Sequence, residues 1–191
     1  EYVLLNYGLC GNGTLKIGHP DLPVVIHDAA DCVPLLIGDR RRHAELMRKR
    51  PGNFWFSPGW IDGFPLPGSP DYAEKYREHY DREVSPRQQE VIDRMLMENY
   101  DRLMYVRWEC LGEELAGRCG AYARSCADTL TGRLGRPFTA EEMRGSPDLL
   151  QRFVDGKWSD TDVLVVPPGH RVRLDHGAAR LYAEREPEPG G

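Results

Sequence analysis

Two cysteines carry the most chemistry in this chain. Cys10 lies in Tyr7-Gly8-Leu9-Cys10-Gly11-Asn12-Gly13, and Cys32 closes the run His27-Asp28-Ala29-Ala30-Asp31-Cys32. Each run follows a short apolar stretch, Tyr2-Val3-Leu4-Leu5 or Leu22-Pro23-Val24-Val25-Ile26, that reads as a buried strand. A thiolate is both a nucleophile and a soft metal ligand. Thiols from two neighbouring strand ends therefore point to zinc, iron or an iron–sulfur cluster. Two cysteines are too few for a closed structural zinc site, so a third ligand is expected. The candidates are His27, His170 and a cysteine upstream of Glu1. An open fourth position would admit a small-molecule substrate.

Other residues fill supporting roles around this pair. Asp28 reads as a helix cap, with Cys32 in the first turns of the helix it opens, where the dipole favours a thiolate. Asp31 either orients a ligand or acts as a base. His170 follows Pro167-Pro168-Gly169 on a rigid turn at a strand end, and histidine is the residue type most used for acid–base catalysis. Gly11 and Asn12 either present backbone N–H groups to an anion or simply make a tight turn. The Lys-Ser/Thr ending of a phosphate-binding loop of the Walker kind is missing. Trp60, with Trp55 and Phe64, suits an apolar lid that excludes water. Cys119 and Cys126 share one helix face and read as core, Cys110 fits either role, and the Tyr72, Tyr76 and Tyr80 stripe reads as helix packing.

The elements that must position these residues alternate between short apolar strands and amphipathic helices. Strands are expected near residues 2–7, 22–26, 53–57, 103–106 and 162–166, with an edge strand at 171–174. Helices are expected from Ala29 to about Ile37, starting late or kinked because of Pro34, then at 40–49 and after Ser69-Pro70 and Ser85-Pro86. Two more follow at 112–134 and after Ser146-Pro147. The helix after Ser85 should turn Val91, Ile92, Met95 and Leu96 inward. Pro58 to Gly68 reads as a long Pro/Gly loop. The pattern is that of an α/β protein with an open, mostly parallel sheet flanked by helices, a Rossmann-like or flavodoxin-like three-layer arrangement. Residues 1–174 form one such domain in this reading, and 175–191 a disordered tail. In an open parallel sheet, sites lie at strand carboxyl ends. Segments 8–14, 27–32, 57–64 and 167–170 fall there.

Composition narrows the class. The 191 residues carry a net charge of −5, which argues against a general phosphate-binding surface and so against nucleic acid as a partner. Arg40-Arg41-Arg42 is a local basic run, more in keeping with a solvated helix face. No stretch reaches the length of a membrane span. Five cysteines, odd in number and unevenly spaced, fit reduced thiols in a cytoplasmic protein. Opening directly on a strand, the chain is expected to have had a segment upstream. Oligomerisation is left open.

Taken together and in this order, several of these segments resemble the uncharacterised family called domain of unknown function 1638. They are Tyr7 to Gly13, Asp31-Cys32 with Leu35-Leu36-Ile37-Gly38, Pro51-Gly52 with Ser57-Pro58-Gly59-Trp60-Ile61, Gly156-Lys157-Trp158, and Val165-Val166-Pro167-Pro168-Gly169. The resemblance spans about residues 2–170. It implies an upstream strand with its own cysteine and, by association, a link to corrinoid methyltransfer systems. Where the family usually reads His-Asp-Cys, this chain has Ala30-Asp31-Cys32, and His27 is the nearest substitute. The combined expectation is a cytoplasmic metalloenzyme in which Cys10, Cys32 and His27 hold a metal ion and Asp31 and His170 serve catalysis. Its reaction would be thiol or methyl transfer, or redox chemistry, on a small molecule, with a corrinoid or methyltransferase protein as a possible partner. Two alternatives are a non-catalytic metal- or corrinoid-handling accessory protein and a metal-free enzyme with a cysteine nucleophile and His27 or His170 as base.

Overall fold

A computed structural model describes residues 1–177 and 180–186. In chain order its elements are β1 (Val3–Leu5), β2 (Val24–His27), α1 (Val33–Ile37), α2 (Arg40–Lys49), β3 (Asn53–Phe56), α3 (Pro58–Gly63), α4 (Tyr72–Tyr80), α5 (Pro86–Leu96), β4 (Arg102–Arg107), α6 (Glu113–Leu134), β5 (Thr139–Arg144), α7 (Asp148–Val154), β6 (Val163–Val166), β7 (His170–Asp175) and β8 (Arg180–Arg185). The class is mixed α/β, as the alternation of strands and helices predicts. Among the described residues, no helix is long and apolar enough to cross a membrane. The chain divides into two compact units, Glu1–His43 with Ser146–Gly191, and Ala44–Gly145.

In the first unit, β1 pairs parallel with β2, Val3 opposite Val24. On its other edge β2 pairs with β6, and here the expectation of a parallel neighbour fails. The register sets Val24 opposite Val166 and His27 opposite Val163, so β6 runs antiparallel. Four apolar residues make a buried strand without fixing its direction. The stretch from Asp175 was expected as tail, yet β8 pairs antiparallel with β7 across it. Its alternation of exposed Tyr182 and buried Leu181 is that of a strand with one covered face. Residues 187–191, also read as tail, lie outside the described residues.

Helix α1 starts late. Pro34 lacks a backbone donor and is tolerated only in the first turn, so the helix begins at Val33 and closes on Gly38 in the left-handed conformation. The unit's core joins Val24, Ile26, Val166 and Val172, with Leu9 packed beside them.

The second unit is built on the all-parallel sheet β3-β4-β5. Helix α6 covers it. Ala116, Cys119, Ala123, Cys126, Ala127 and Leu130 recur at helical spacing and are buried, so Cys119 and Cys126 are core residues, as expected. The Pro/Gly stretch after Phe56 is not a loop throughout. Ser57 accepts a hydrogen bond from the Trp60 N–H and Pro58 occupies the first turn, which together nucleate α3. Helix α5 begins with a full capping box, Ser85 and Gln88 each bonded to the other's backbone N–H.

Candidate functional site

The two cysteine loops are laced together. The Leu9 N–H donates to the Ala29 carbonyl at 2.8 Å, and the Cys10 N–H to the Ala30 carbonyl at 3.1 Å. Gly8 makes the approach possible. A β-carbon there would sit 2.5 Å from the Asp31 carbonyl oxygen. The loop then turns through left-handed backbone at Cys10 (φ 38°), Gly11 (φ 65°) and Asn12 (φ 70°). Two of these are not glycine, and such conformations cost energy and concentrate at functional sites.

This lacing brings the two thiols into contact. The Cys32 thiol lies within hydrogen-bonding reach of the Cys10 thiol. Both residues are partly buried and neither is in a disulfide. The expectation that a helix dipole lowers the Cys32 pKa is overturned. Its thiol is pushed up to about 12, first by burial, then by Cys10 and by the Asp31 carboxylate. Helix α1 has only five residues and Cys32 precedes its first turn, so little dipole opposes this.

The other expected site residues fall in different places. Asp31 stays at the loop junction, where its Oδ1 accepts from the Val33 N–H at 2.8 Å and so does the capping assigned above to Asp28. Asp28 instead anchors β8. Its Oδ1 accepts from the Leu181 N–H at 3.0 Å, and its Oδ2 accepts from Arg180 Nε at 3.0 Å and faces Arg40 at 3.5 Å. His27 lies at the correct end of β2 but is fully buried. Its Nε2 is 2.8 Å from Asn6 Oδ1 and its ring stacks on Phe153 at 4.1 Å, while Nδ1 has no partner. Burial pulls its pKa down to about 4. Its polar partner is Asn6 rather than a thiol. Among the described residues, no group of three or more His, Cys, Asp or Glu side chains is gathered as metal ligands would be.

His170 is carried away by the direction of β6. The carboxyl end of β6 lies beside Val24, the amino end of β2, opposite to the end that bears Cys32. There the His170 ring nitrogen Nδ1 lies 3.0 Å from the Pro168 carbonyl. Gly11 and Asn12 are exposed at the tip of the Cys10 loop. Trp60 belongs to the second unit, where it packs against the core around Phe56 and Leu130.

One feature had no sequence signal. A cavity of about 170 Å³ lies against the same two loops, lined by Leu9, Asp28, Ala29, Ala30, Leu174, Leu181 and His176. Leu181 and His176 come from the stretch whose composition reads as tail, and that is why the pattern hid them.

A family model described as "Protein of unknown function (DUF1638)" matches residues 1–154, and the chain belongs to that family. No curated protein matches, and no solved structure does.

Proposed function

We propose that Cys10 and Cys32 are the thiolate ligands of one soft metal ion, zinc or iron, in an enzyme acting on a small molecule. The observation that carries this reading is the contact between two reduced thiols supplied by separate strand ends. Burial and the neighbouring Cys10 and Asp31 disfavour the thiolate of Cys32; a divalent ion would take the proton's place. The left-handed backbone at Cys10 supports a site held in shape for a ligand. Two sulfur donors suit a mononuclear ion better than an iron–sulfur cluster, which draws on four. The remaining positions would fall to water and substrate.

Bound by Cys10 and Cys32, such an ion would supply Lewis acidity that favours the thiolate form of a substrate thiol at neutral pH. The link of some members to corrinoid methyltransfer systems, implied by the resemblance and by association only, favours methyl transfer, with a corrinoid or methyltransferase protein as partner. The chain's own residues set the two sulfurs, and the adjoining cavity admits the apolar part of a small substrate. A cytoplasmic location and a Rossmann-like, three-layer arrangement belong to the same proposal. The parallel pairing of β1 with β2, and of β3, β4 and β5, supports the latter.

The count of two donors rather than three favours one further reading, an accessory module that holds the ion only in passing. Elemental analysis of protein purified without oxygen tests the assignment. One ion per chain is expected, lost in Cys10→Ser and in Cys32→Ser and kept in Cys119→Ser. Loss in Cys119→Ser alone contradicts it. Turnover of a thiol substrate by the loaded protein separates the enzyme from the accessory module.

A further inference from the structure

Helix α5 is turned with its apolar side outward. Its fully covered positions are Gln89 and Asp93, whereas Val91 is 52% exposed and Met95 72% exposed. Leu96 is exposed as well. The buried carboxylate explains the orientation. Asp93 is fully buried, pairs with Arg133 of α6, and accepts from the Gly68 N–H at 3.3 Å. Turning α5 over would strip a charge of its partners, a larger loss than exposing three apolar side chains. Single exposed apolar residues are ordinary, but these lie on consecutive turns of one helix. They adjoin a cleft of about 410 Å³ whose apolar walls include Tyr76, Val84, Val91 and Ile92.

The charges at the rim say what covers it. Arg87 and Arg94 lie along the strip with Glu90 and Glu98, and Glu83 borders the cleft. A partner of a single charge sign would meet like charges at two or three of these five positions. A second copy laid antiparallel meets the opposite sign. With a two-fold axis between Asp93 and Arg94, Val91 of one copy faces Leu96 of the other, and Ile92 faces Met95. Arg87 then comes within side-chain reach of Glu98 of the second copy. A strip that complements itself under a two-fold rotation is what an isologous interface requires. Met95, unbranched and the most exposed, is suited to filling the cleft of the opposite copy.

We propose that the protein is a homodimer joined through α5 and its adjoining cleft. This is independent of the cysteine site, and its test reads only mass and fold. Sedimentation velocity of the full chain across a dilution series should show a dimer. Val91→Glu and Met95→Glu should each weaken association about tenfold or more, since each buries an unpaired carboxylate. Both positions are exposed in the single chain, so melting of the dilute protein should hold. Arg87→Glu should weaken the dimer, and adding Glu98→Arg should restore it. A wild-type monomer at every concentration overturns the proposal. So does a dimer indifferent to Val91→Glu and Met95→Glu, or a double charge swap no tighter than the single one.

Discussion

The thiols of Cys32 and Cys10 meet within hydrogen-bonding reach, beyond the ends of two parallel strands. In the proposed metal site that contact would set the pH dependence of binding. The free thiol of Cys32 keeps its proton up to about pH 12. An ion must therefore displace it, and affinity should rise with pH through the neutral range. The expected slope is about tenfold per pH unit for each proton released. Titrations with zinc at a series of pH values measure it, and an affinity flat in pH between about 6 and 9 would count against thiol ligands.

His27 makes the first unit sensitive to acid. Its pKa is about 4 when folded and near 6.5 when the ring is free, so the unfolded chain binds the proton first. Stability is full above pH 6.5 and falls as pH drops toward 4, by on the order of 3 kcal/mol at most. His27→Gln can still bond to Asn6 and does not titrate. Its melting temperature should vary less than wild type over that window. An identical pH profile in both proteins would remove His27 as the cause.

Gly8 and Gly11 should respond very differently to alanine. At Gly8 the added β-carbon meets the Asp31 backbone at 2.5 Å, so the two loops must part. At Gly11 nothing lies within 4 Å, and the cost is that of a left-handed alanine, about 1–2 kcal/mol. Gly8→Ala should lose metal binding, and Gly11→Ala should keep it. Thermal melting and metal content read both.

The pair Asp93 and Arg133 should be asymmetric. Arg133→Met leaves a fully buried carboxylate unpaired and should cost about 3–5 kcal/mol. Asp93→Asn keeps shape and hydrogen bonding and should cost about 1–2 kcal/mol. Urea unfolding of the two variants compares them directly.

The meeting of the two cysteine loops was legible in the sequence, because apolar runs ending in glycine or a cap residue are local signals. Cys10 and Cys32 follow adjacent parallel strands, as their spacing implied. What failed depended on distant parts of the chain. The direction of β6 is fixed by pairing with β2, and nothing inside Val163–Val166 encodes it. That one reversal removed His170 from the site. The periodicity of α5 was correct, yet its inward face was set by Asp93 finding Arg133 on α6. His27 was legible as a strand-end histidine, but Phe153, from a helix far along the chain, took its ring. The polar β8 looked like tail because only Leu181 is buried in it.

The most direct test of the account is X-ray absorption at the metal edge of the zinc-loaded full chain. Two sulfur ligands are predicted in the wild-type protein, one fewer in Cys10→Ser or Cys32→Ser where any zinc is retained, and two in Cys119→Ser. A zinc shell of nitrogen and oxygen alone, or one unchanged by Cys10→Ser and Cys32→Ser, would contradict it.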